Sequence, residues 1–167
     1  MTEWSRALLV SALAYGCSTT SSQFDGTVYQ NESTRFSVGA LPGWTRVEET
    51  DSNLAFRRDG MGVIGVHSSC EDYEDVTPQV LANHLLFGTT ERKYVLDETA
   101  PVDGRDARHV LVEASLDGVR LELEIFVLVR DGCVYDLTHA RPAGSGEPVR
   151  GPFLEFVGAF AVLDGPR

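Results

Sequence analysis

The chain of 167 residues is poor in cations, in cysteine and in long apolar runs, and each shortage narrows its chemistry. There are 14 Lys and Arg against 25 Asp and Glu, a formal net charge of −11. Such a surface repels phosphate backbones, so nucleic acid is excluded as a partner. The acidity is spread along the chain, which reads as general solubility rather than an acidic tail. No Gly-rich phosphate loop occurs, because Gly60-Met61-Gly62 is followed by neither a Lys nor a helix. A nucleophile elbow of the Gly-x-Ser-x-Gly kind is missing too. His67, His109 and His139 fall on separate strand-like segments without a Cys or carboxylate at metal spacing. Neither a metal nor a cofactor is therefore expected. What remains is 43% hydrophobic and 23% charged, ordinary for one globular domain with a real core.

The N-terminus carries the most specific signal. After Arg6, the apolar run Ala7–Tyr15 falls well short of the about 20 residues that cross a bilayer, but it matches the apolar region of a signal peptide. Gly16 and Cys17 follow, a small residue at a cleavage point and a thiol that can take a lipid. Leu13-Ala14-Tyr15-Gly16-Cys17 resembles the bacterial lipobox, with a bulky Tyr15, the Leu one place early and Glu3 weakening the positive start. The reading is a signal peptide over 1–16, a lipidated Cys17 and a solvated tether to residue 33, beginning Ser18-Thr19-Thr20-Ser21-Ser22-Gln23. The membrane is then a partner through Cys17, on the periplasmic side of the envelope. Ser18 in place of the Asp that resembles an inner-membrane retention signal favours the outer membrane.

Export brings an oxidising compartment, where thiols pair. With Cys17 set aside, Cys70 and Cys133 remain, each at the end of a strand-like run. A bridge would close a loop of about 60 residues and contribute roughly 4 kcal/mol on chain-entropy grounds. The alternative is a free catalytic Cys133 working with His139 or His109, which the oxidising compartment opposes.

Along the domain, assigned to 34–163, strands come first. Thr34–Ala40 alternates polar and apolar, Leu41-Pro42-Gly43-Trp44 turns, and Asp59-Gly60 joins strands Asn53–Arg57 and Gly62–Val66. Thr77 and Pro78 announce a helix with Val80, Leu81, Leu85 and Leu86 on its apolar side, stopped by Gly88. Asp117-Gly118 and Asp131-Gly132 divide the second half into a meander of Arg105–Leu116, Val119–Arg130 and Cys133–Ala140. Val119, Leu121, Leu123, Ile125, Val127 and Val129 predict one fully buried face of the middle strand. Its other face starts Arg120, Glu122, Glu124 and turns apolar only at Phe126. A last helix carries Val149, Phe153, Phe156, Val157 and Phe160 at helical spacing.

Phe36-Ser37-Val38 and Leu41-Pro42-Gly43-Trp44, a central helix, a long meander and a Phe-rich final helix ending Phe160-Ala161-Val162-Leu163 together resemble the PsbP-like fold. The resemblance implies an α+β domain with an antiparallel sheet packed between helices, an α/β/α sandwich, here with one disulfide. It also implies a binding or assembly role rather than catalysis. More narrowly, Val66-His67-Ser68-Ser69-Cys70, Asn83–Gly88 and Asp131–Asp136 resemble lipoproteins of delta-proteobacteria and myxobacteria.

Possible chemistry is thin. His84 fits the edge of a helix packed on the sheet. His139 and Asp136 are three apart on one strand and so face opposite sides. Glu122 and Glu124 share a face and could be paired carboxylates, or a solvated patch with Arg120. The expected partner surface is that face, Arg120, Glu122 and Glu124, with Trp44 and Tyr73 as flanking aromatics. The functional expectation is a non-enzymatic envelope lipoprotein that binds another envelope protein or a lipid, peptide or small hydrophobic ligand. The rival expectations are a hydrolase of envelope polymers and a small-molecule carrier with a closed apolar pocket.

Overall fold

A computed structural model describes residues 22–49, 52–71 and 76–163. The signal peptide, Cys17 and Tyr73 lie outside the described residues.

Three Asp-Gly pairs in the second half of the chain build the backbone of the fold. Asp103, Asp117 and Asp131 all have φ of 50–54°, and the glycines after them are at 69–81°. Two successive residues in the left-handed region make the tight turn whose twist suits a hairpin. The turns join β7 (Thr89–Val102), β8 (Arg105–Leu116), β9 (Val119–Arg130) and β10 (Cys133–Pro142) into one antiparallel meander. β4 (Thr45–Val47), β5 (Leu54–Arg58) and β6 (Gly62–Ser69) extend it into a seven-stranded sheet, ordered β4-β5-β6-β10-β9-β8-β7. β1 (Gln23–Phe24), β2 (Val28–Gln30), β3 (Arg35–Ser37) and β11 (Ala161–Val162) form a second, four-stranded sheet.

Two cores result, one on each face of the large sheet. On one face, Phe153 and Phe156 of α2 (Glu147–Gly158) pack with Phe36, Leu54, Ile64, Phe126, Leu128 and Leu137, and the small sheet adds Tyr29. On the other, Ala82 and Leu86, in and just after α1 (Pro78–Leu85), pack on Val110, Val112, Ile125 and Val127. The expected sandwich of helices around a sheet is thus realised only in part. Strands dominate, α1 is eight residues long, and α2 shares its face with the four-stranded sheet.

Several expectations need correction. The domain does not begin at Thr34: β1 and β2 occupy part of the stretch read as tether. Asp25 makes the turn between them by accepting bonds from the N–H groups of Thr27 and Val28 at 2.9 and 2.7 Å. Tyr29 is then buried and stacked on Phe36 with 5.0 Å between ring centroids. The last helix stops at Gly158, and Ala161–Val162 is strand. On α1, Val80 and Leu85 face solvent, and Ala82 does the packing instead. β7, a 14-residue strand, gave no alternating pattern because it is an edge with two register shifts, one near Glu91 and one at Val95. Such irregularities blunt an edge against pairing with other chains.

The disulfide between Cys70 and Cys133 is formed, with Cα atoms 4.0 Å apart. The register explains it: Val134 pairs with Ser69, so the two cysteines close the same end of neighbouring strands.

Candidate functional site

The meander's turns decide which charged residues meet. With Cys133 fixed opposite Arg130, His139 falls opposite Glu124 and Arg141 opposite Glu122. On the other side of β9, His109 falls opposite Phe126. All of these except Phe126 are polar, and all project to the face that α2 covers, where Arg150 descends from the helix.

The outcome is a saturated ionic knot. Glu124 is fully buried and accepts from His109 Nε2 at 2.8 Å, from Arg141 Nη1 at 2.9 Å and from both Nε and Nη2 of Arg150 at 2.7–2.9 Å. Glu122 accepts from Arg141 Nε at 2.8 Å and from the Gly144 N–H at 2.9 Å. Each of the four carboxylate oxygens therefore has a donor. His139 donates from Nε2 to the Met61 carbonyl at 2.8 Å, which leaves Nδ1 as an acceptor 3.4 Å from Arg141 Nη1. Its basicity is lowered, first by burial and also by the Arg141 charge, against the opposing pull of the Met61 bond. Burial alone would raise the Glu124 pKa, but the bonds from His109, Arg150 and Arg141 outweigh it and hold the group at about 2.

This arrangement replaces the expected solvated patch. Arg120, Glu122 and Glu124 do share one strand face, but only Arg120 is exposed, beyond the helix and 3.3 Å from Glu91. Glu122 is largely covered and Glu124 has no surface at all. Trp44 is half-buried as a lid, its ring at 68° to that of His139 with centroids 5.9 Å apart. As paired carboxylates for glycoside hydrolysis the two are poorly placed, because Glu124 has no exposed surface and both of its oxygens are taken by protein donors. Arg141 and Arg150 are the members that the sequence reading did not single out, and it weighed His109 only as a metal-spacing or Cys133 partner, never beside Glu124. For His109 the signal lay in the turns, since two-residue hairpins fix cross-strand partners along their whole length.

The opposite face holds a different residue. Asp136 lies on β10 between Val127 of β9 and His67 of β6, on the α1 side, and its Oδ1 is buried without a hydrogen-bond partner. Burial pushes its pKa up to about 7. As the spacing required, His139 and Asp136 face opposite ways. Near the start of α1, a cavity of about 300 Å³ is lined by Thr77, Pro78, Thr99, Asp106 and Arg108. Arg108 is already committed there to Asp97, at 2.7 Å through Nε. Among the described residues no group of three or more His, Cys, Asp or Glu could hold a metal, and no helix is long and apolar enough to cross a membrane.

The surface itself is apolar at one end. Phe87 is 75% exposed and Val119 64%, with Leu116 and Leu85 also open to solvent.

No family model matches the chain, and no curated protein matches its sequence, so the narrower likeness to delta-proteobacterial and myxobacterial lipoproteins gains no support. Solved structures do match, at low identity. Cyanobacterial PsbP (CyanoP) from Synechocystis sp. PCC 6803 aligns over 93% of this chain and 99% of its own, at 14% identity and a TM-score of 0.53. LpqN, involved in cell envelope biogenesis of Mycobacterium tuberculosis, aligns over 77% and 83%, at 10% identity and a TM-score of 0.54. A protein from Bacteroides thetaiotaomicron matches 77% of this chain at 10% identity and a TM-score of 0.55. The chain spans only 45% of that protein's length. At such identities the likeness is one of fold, and the fold is PsbP-like.

Proposed function

We propose that this protein is an envelope-tethered accessory module, held to the membrane through a lipid on Cys17, that binds another envelope component without transforming it. The observation that carries the reading is the ionic knot. Glu122, Glu124, His109 and Arg141 are covered and saturated by one another and by Arg150, so they hold α2 to the sheet instead of facing a substrate. At one end the surface offers exposed apolar side chains, which suits docking. The likeness to LpqN and CyanoP supports the same direction by fold alone.

The test is made on the protein in its native envelope. Mass spectrometry of the N-terminal peptide should show acylated Cys17, and chemical crosslinking followed by capture should return a reproducible companion. A Cys17→Ala variant should leave the membrane fraction. An unmodified N-terminus together with no companion contradicts the reading, and turnover of peptidoglycan fragments or lipid esters by the purified protein would replace it with the hydrolase.

A further inference from the structure

The apolar stripe on the α1 side of β8 and β9 is longer than the helix laid over it. Eight helical residues cover about 12 Å, whereas the twelve of β9 run about 40 Å. The helix shields Val110, Val112, Ala114, Ile125 and Val127 and then ends. Leu116 and Val119 continue the same stripe, paired with each other at the hairpin tip, and both are exposed. That end adds Phe87, which follows the last turn, and Leu85. Gly88 brings the two parts together: a Cβ placed there would sit 3.7 Å from Leu116 Cδ1. The expectation that β9 has one wholly buried face therefore fails at the tip, where exposed apolar side chains from the hairpin and from the end of α1 lie near each other around Gly88.

Where the chain enters the domain decides what can cover this surface. Gln23 pairs with Gln30, next to the Asn31–Thr34 turn. That turn lies against the disulfide end, with Thr34 Oγ1 3.0 Å from Ser68 Oγ and the Ser33 carbonyl 3.7 Å from Cys70 Sγ. The hairpin tip is at the far end of β9 from there. The link from Cys17 to Gln23 reaches at most roughly 20 Å, about half the length of β9. The tether itself cannot cover the tip, and the net charge of −11 repels an anionic bilayer surface. A second copy is disfavoured by charge, since each chain carries −11.

We propose that Leu85, Phe87, Leu116 and Val119 form the docking surface for a second, net-positive envelope protein, which inserts apolar side chains at the end of the domain farthest from its anchor. This rests on the binding reading above and names its surface. The acidic body draws a cationic partner inward, and the apolar tip then holds it by burial.

The experiment uses the full-length protein in its own envelope, with p-benzoylphenylalanine replacing Phe87 in one form and Glu32 in another. Irradiation should give a crosslink to one discrete basic polypeptide from position 87 and none from the exposed Glu32, at the disulfide end. A second substitution, Val119→Glu, should reduce the yield from position 87 about tenfold, as for a hot-spot contact. Its exposed site keeps the fold, to be verified by an unchanged unfolding transition. Three results overturn the surface: crosslinks between two copies, crosslinks only to phospholipid, or a yield indifferent to Val119→Glu. If position 87 gives nothing while chemical capture still returns a companion, the surface is wrong and the binding reading stands. If both fail, the binding reading falls with it.

Discussion

Asp136 and Glu124 stand on opposite faces of the same sheet, both buried, and their pKa values move in opposite directions because only Glu124 is surrounded by donors. Asp136 has no donor for Oδ1, so ionising it is unfavourable and its pKa rises from 3.8 to about 7. Because the folded value lies above the unfolded one, its contribution to stability is complete below about pH 4 and is lost as pH climbs to 7. The Asp136→Asn variant removes that titration. Urea unfolding should find the variant's advantage growing from pH 5 to pH 8, by up to about 3 kcal/mol; a gap that does not change with pH contradicts the assignment. Glu124 works the other way. Its folded pKa, about 2, lies below the ordinary 4.5, so its contribution is present above pH 4.5 and lost as pH falls toward 2. Glu124→Gln leaves Arg141 and Arg150 facing a neutral amide and should cost about 3–5 kcal/mol, measured by denaturant unfolding at pH 7.

At the scale of elements, the disulfide and one glycine fix how β6 meets β10. Replacing Cys70 and Cys133 together by Ser reopens the loop that the bridge closes and should lower stability by roughly 4 kcal/mol, without changing the strand register that Val134 and Ser69 establish. Gly62 opens β6 at φ +93°, and a Cβ there would lie 2.0 Å from the Ala140 carbonyl oxygen. Gly62→Ala must therefore push β6 off β10, and the purified variant should show a lowered melting temperature or fail to fold. These elements were readable in advance because their signals are local. Two-residue turns fixed β8, β9 and β10 to within a residue or two, and Thr77-Pro78 marked the start of α1. β7 was not readable, because most of its residues are exposed and its bulges break the period of two. β1 and β2 hid in a polar segment where Phe24 and Tyr29 are the main apolar signs of strand.

Across the whole molecule, the layout separates strength from contact. The knot ties α2 to the sheet at mid-height, the disulfide closes one end, and the apolar tip is left uncovered at the other. In the sequence, Arg120, Glu122 and Glu124 looked like one surface because strand alternation is all that a sequence displays. Only the arrival of Arg150 from α2 shows that Glu124 is a buried anchor, and that contact joins residues 26 positions apart. Val119 misled in the opposite sense: it is as apolar as Val127, and only the shortness of α1 leaves it open.

The most direct measurement compares Glu124→Gln with Val119→Glu, recording unfolding free energy and companion capture per folded molecule for each. Glu124→Gln should lose stability and keep capture, whereas Val119→Glu should keep stability and lose capture about tenfold. Loss of capture by a fully folded Glu124→Gln protein would instead make the knot the functional site and contradict the account.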